Sequence, residues 1–138
     1  MASVIFTKCI ERAFNGNLDF DTDTIKVTLH TSSYVENKDH DFFDDATNEL
    51  STGSGYTSGG ATVTVSVTLD TTNDRVDVSL GGTSWSSSTI TARKAIYRKA
   101  RGGAASADEL IACNDFGSDV STTAGTFTLA ASTLRIQN

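Results

Sequence analysis

The sequence predicts a mainly β chain, an antiparallel β-sandwich (jelly-roll or immunoglobulin-like) of about seven or eight strands with one short N-terminal amphipathic helix. Three observations lead there. Between residues 61 and 80, Val63, Val65, Val67 and Leu69 alternate with threonine and serine, and after TTND the alternation resumes as Val76, Val78 and Leu80. Strand side chains point to opposite faces with a period of two, so this stretch reads as a hairpin with one apolar and one hydroxyl-rich face. Similar short runs, rich in Ser, Thr and Val, recur along the chain, a composition that suits pleated, half-buried surfaces. Proline is absent, and the eleven glycines cluster at Gly53 to Gly60, Gly81 to Gly82 and Gly102 to Gly103, where they must carry the turn chemistry. With 138 residues the chain has the size of one ordinary domain, and residues 1–138 are read as a single sandwich.

The elements follow in order. From Ser3 to Phe14, Ile5, Cys9 and Ala13 form one helical stripe, and Phe6, Ile10 and Phe14 the adjoining one. Ser3 is the expected N-cap and Asn15-Gly16 the exit, so residues 1–16 form a helix that packs on the sheet or on a neighbouring subunit. Ile25, Val27 and Leu29 then mark a half-buried strand behind an acidic turn. Residues 35–50 are acidic and lack a clear period, which predicts a long loop with one helical turn, pinned by Phe42 and Phe43. The glycine-rich GSGYTSGG leads into the hairpin, whose valine face is expected in the core. Beyond it, Trp85 is read as a core plug. ITARKAIYRKA is a strand whose imperfect alternation signals a bulge or two partly exposed faces. Leu110, Ile111 and Phe116 mark a strand ending at Gly117, and TFTLAASTLRI supplies the last alternations.

Formal charge is −6, which argues against nucleic acid, since nonspecific binding to phosphates is driven by Lys and Arg. No apolar run of about 18 residues and no basic segment followed by an apolar core is present, so neither a membrane partner nor a secretion signal is expected, and synthesis in a cytoplasm is. The two cysteines, Cys9 and Cys113, read as buried reduced thiols.

Sites of chemistry are weighed against plainer readings. Asp19, Asp21 and Asp23 open like a calcium loop, but Thr24 and His30 stand where the loop needs Gly and Glu. Asp39, His40, Asp41, Asp44 and Asp45 read as a solvated acidic loop, because His30 lies on a strand without ligand spacing to them. GSGYTSGG has no lysine after its last glycine and enters a strand, unlike a phosphate loop, and no serine sits in a nucleophile elbow. No catalytic, cofactor-binding or metal-binding residue is therefore assigned. The most informative charge feature is Arg93, Lys94, Arg98, Lys99 and Arg101, five of the eleven basic residues. It is either a strand edge protected by cations or a docking face for an acidic protein surface. Together with Phe6 and Ile10 of the helix, these five are the expected protein-interface residues.

Read together, FTKCIERAFNGNLDFDTDTIKVTLHTSSYVENKDHDFF, GSGYTSGGATVTV, DRVDVSL, SWSSSTITARKAIYRKA and NDFGSDVSTTAGTFTL resemble a family of small tailed-phage virion structural proteins, in the same order over nearly the whole chain. The chain departs from that pattern in its basic ARKAIYRKARGG and polar LHTSS stretches. The resemblance implies a bacteriophage capsid decoration or cement protein, made in the host bacterial cytoplasm and carried on the virion. Its implied partner is the major capsid protein, and it implies a homo-oligomer, trimer or dimer, on the capsid surface. Alternatives are a neck or tail component of the virion, or a glycan- or receptor-binding module using an exposed Tyr34, Tyr56 or Trp85.

Overall fold

Alternating β-branched residues do form strands: the computed structural model describes residues 3–138 and places ten strands and one α-helix in them. In chain order these are β1 (Val4–Ile5), α1 (Thr7–Phe14), β2 (Ile25–His30), β3 (Ala61–Val63), β4 (Val65–Asp70), β5 (Arg75–Leu80), β6 (Thr83–Ser88), β7 (Thr91–Lys99), β8 (Leu110–Ser121), β9 (Gly125–Leu129) and β10 (Ser132–Gln137). Every pairing is antiparallel. The strands form a five-stranded sheet in the order β1-β8-β7-β2-β3, a three-stranded sheet β10-β5-β4 and the pair β6-β9. The fold is mainly β and sandwich-like, as the alternation predicts, with more strands than expected because β1 and β3 are too short to show a period.

The main core lies between the large sheet and the two small ones. Ile25, Val27 and Leu29 of β2, with Ala95 and Tyr97 of β7, meet Leu80, Trp85, Phe127 and Leu129. Trp85 plugs this core as predicted, its ring against Tyr56 and Phe127. Each fully buried large side chain of this kind contributes about 1.5–3 kcal/mol by leaving water.

Three expectations change in the folded chain. The helix begins at Thr7 rather than Ser3, because Val4 and Ile5 add a strand to the edge of β8, opposite Cys113 and Ala112. Ser3 Oγ, expected as the cap, instead donates to Asn114 Oδ1 and accepts the Asp115 N–H. β-branched residues beside an open sheet edge gain ladder hydrogen bonds that an isolated first helical turn lacks. The strand before the TTND turn is also not one strand. It breaks at Thr64, whose carbonyl takes the Gly81 N–H at 2.7 Å, so β3 joins the large sheet and β4 the small one. Finally, β8 runs through Gly117, which sits at φ +83°, and continues to Ser121 instead of turning.

β7 is central in the large sheet, flanked by β8 and β2, and is not an edge. Its irregular alternation reflects register shifts against β8 between Ala92 and Lys94 and between Tyr97 and Arg98. The rear face of the sheet is covered by the long acidic loop with its 3-10 turn Phe43–Asp45. A second cluster forms there from Phe6, Tyr34, Ala46, Ile96, Leu110 and Cys113.

Candidate interaction surfaces

The basic segment is built into the fold by pairing with acids from distant loops. Lys94 Nζ lies 2.5 Å from Glu36 Oε2 and also donates to the Tyr34 carbonyl. Arg98 donates from Nε to Asp108 at 3.0 Å and from Nη2 to the Gly59 carbonyl, with its guanidinium 3.9 Å from the Phe43 ring centroid. Arg93 pairs with Asp115 at 2.7 Å, and Lys99 with Asp23 at 2.9 Å. Arg101 makes a two-pronged contact with Glu109. Five cations thus meet five carboxylates, and the segment presents little net charge to a partner.

Burial corrects the interface assignment further. Phe6, Lys94 and Arg98 are buried and offer no side chain to a docking protein. Phe6 is packed in the rear cluster, and its ring stacks on His40. Arg93 and Lys99 are half-buried and committed to their acids, whereas Arg101 is about half exposed. Of the seven predicted contacts, Ile10 on α1 remains an open apolar side chain. Neither the cationic edge nor the acid-binding face describes this segment, because a central strand buries both of its faces.

The same layer places the two histidines. His30 Nδ1 is 2.7 Å from the Thr47 carbonyl, which can only accept, so Nδ1 carries the proton and Nε2 accepts from the Thr28 hydroxyl at 2.9 Å. Burial holds its pKa below the ordinary 6.5, against the opposing Thr47 hydrogen bond. In the unfolded chain His30 therefore protonates at a higher pH than in the folded one. Stability falls as pH drops below 6.5 and levels for this group once the depressed folded value is passed. Glu109 adds a decline at lower pH. Burial pushes this carboxyl up, but the Arg101 hydrogen bonds more than offset that and leave it below its usual 4.5. The urea midpoint is expected to fall between pH 6.5 and 5, and His30→Gln to remove most of that slope. A slope unchanged in the variant would exclude His30 as its source.

The remaining candidate residues are occupied by structure. Asp23 Oδ2 accepts the Asp19 N–H, and Asp19 Oδ1 accepts that of Asp21, so this turn is closed on itself. His40 Nδ1 bonds the Tyr34 hydroxyl, and Asp45 accepts the Asp41 N–H. Among the described residues no group of three His, Cys, Asp or Glu side chains could hold a metal ion. Cys9 and Cys113 are free and buried, and desolvation pushes both thiols up to about 12, so they stay protonated and unreactive at neutral pH. Tyr34, Tyr56 and Trp85 are all buried, which removes them as platforms for stacking a sugar. GSGYTSGG is a fixed loop: the Tyr56 hydroxyl accepts the Leu29 N–H and donates to Glu49 Oε1, which also accepts the Gly59 N–H.

A surface that the sequence reading placed in the core is open. Val65, Val67 and Leu69 of β4 pair with Leu80, Val78 and Val76, and β10 adds Leu134 and Ile136 to the same face. Only its base is covered: Leu80 is buried, but Leu69 is 70% and Ile136 64% exposed. Beside it α1 presents Ile10 and Phe14, the latter 79% exposed. A groove of about 370 Å³ runs between helix and sheet, lined by Cys9, Ala13, Phe20, Val76 and Leu134 among others. The alternation marked this face as apolar; which part of it lacks a cover depends on where neighbouring segments end.

No family model matches this chain, and neither a curated protein nor a solved structure is significantly similar to it. No helix among the described residues is long and apolar enough to cross a membrane.

Proposed function

We propose that this chain is a bacteriophage virion structural protein, a capsid decoration or cement protein that binds the major capsid protein and stabilises the head. The observation that carries the reading is the ordered set of motifs, from FTKCIERAF through GSGYTSGG to NDFGSD, which resembles small tailed-phage structural proteins along nearly the whole chain. The fold is compatible with that role. A cement protein needs a rigid core and a docking surface and no active site, and here the charges are spent on holding loops to the sheet while an apolar face stays open.

Cryo-EM of virions from the phage that encodes this chain tests the proposal by copy number and place. A decoration protein occupies hundreds of equivalent positions over the shell. Density for about a dozen copies or fewer at the neck or tail would replace the head assignment with the second virion role, and absence from purified particles would sink both. Heads lacking the chain should also release DNA at a lower temperature than decorated ones.

A further inference from the structure

We infer that the open apolar face of β4-β5-β10 and α1 is a self-association surface, occupied by the same face of a second copy of this chain. The inference does not rest on the virion role. It starts from area. Ile10, Phe14, Val67, Leu69 and Ile136 are 42%, 79%, 43%, 70% and 64% exposed. Together they present the equivalent of about three large side chains, roughly 500 Å² at some 150–200 Å² each. A contiguous patch of that size marks a protein interface rather than ordinary surface. A stable interface buries about 800 Å² per partner, of which about 65% is apolar in homodimers, roughly 520 Å². The face therefore supplies the apolar share that one half of a homodimer contact requires.

Charge selects a second copy over an unlike partner. A two-fold contact brings each charge near its own counterpart, so a chain of net charge −6 can meet itself only where charge is cancelled locally. It is cancelled here. Lys8 pairs with Glu11 at 2.6 Å on the helix, while Arg75 meets Asp70 at 3.2 Å and Arg135 meets Asp77 at 2.7 Å around the sheet. A partner held by charge complementarity would find no excess of either sign to read. Shape is self-complementary as well: Phe14 projects beside the groove of about 370 Å³, and an apolar cavity of about 150 Å³ already accepts a benzene ring. Phe14 of each copy can thus fill the groove of the other.

The test is the mass of the full-length chain in solution. At about 100 μM, above the weakest affinity expected of such an interface, light scattering coupled to gel filtration should give twice the 14.6 kDa chain mass. Leu69→Ser with Ile136→Ser should return the monomer mass while leaving the circular dichroism spectrum unchanged, because both side chains are largely in solvent in the isolated chain. If that double variant fails to fold, Phe14→Ser carries the same test from the helix. A wild-type monomer at this concentration overturns the inference, as does a dimer that survives both sets of substitutions. A monomer whose Leu69→Ser/Ile136→Ser variant no longer binds phage heads would also overturn it, by giving this face to the capsid.

Discussion

Lys94→Met is expected to lower the stability of the fold by about 3–5 kcal/mol, the loss typical of breaking a buried ion pair from one side. In melting temperature that is a fall of roughly 10–20 °C for a chain of this size. The reason is the carboxylate left behind. Glu36 has no side-chain exposure, one of its oxygens is held by Lys94 at 2.5 Å, and the other, Oε1, has no hydrogen-bond partner. Removing the ammonium strands a charge in a space that cannot hydrate it, and the Tyr34 carbonyl loses its donor as well. Lys94→Met combined with Glu36→Leu should recover most of the loss, since a buried pair replaced on both sides by apolar groups is often nearly neutral. Urea unfolding of the two single variants and the double variant measures this directly. If Lys94→Met and the double variant lost stability equally, the stranded charge would not be the cause.

Gly60→Ala is expected to be comparably severe, at about 3 kcal/mol or more, for a steric reason. Gly60 sits at φ +73°, and a Cβ there would lie 1.8 Å from the Val27 carbonyl oxygen and 2.7 Å from its carbon. Backbone atoms of β2 cannot yield without breaking the β2-β3 pairing at Val27 and Ala61. Its neighbour Gly59 provides the control. It too has positive φ, +97°, but a Cβ would meet nothing within 4 Å. Gly59→Ala should therefore cost only the left-handed strain, about 1–2 kcal/mol. The difference between the two variants in chemical denaturation reports the clash alone, and equal losses would show that the close approach to β2 does not exist in solution.

Both experiments concern the rear layer, where the reading of the sequence was least complete. An acidic, aperiodic loop next to a basic strand looks like two solvated surfaces when the residues are taken in order. Folding brings Glu36 to Lys94 across 58 positions, Asp115 to Arg93 across 22 and Asp108 to Arg98 across 10, and the charges disappear into one another. Tyr34 and Tyr56, plausible as exposed aromatics in polar loops, became the anchors that fix those loops.

The strands themselves were legible because the signal for them is local. A period of two is imposed by the geometry of the extended backbone, so Ile25, Val27 and Leu29, or Val76, Val78 and Leu80, declare a two-faced strand wherever it is packed. The mainly β, sandwich-like class follows from enough such runs with glycine turns between them. Alternation says that the two faces of a strand differ; it does not say what covers either. Tertiary structure alone decided that β7 is central and buried on both sides, that Thr64 divides one apparent strand between two sheets, and that Val67, Leu69 and Ile136 face outward. Those outcomes depend on contacts between segments far apart in sequence, where the gain is buried area and paired charge rather than backbone preference.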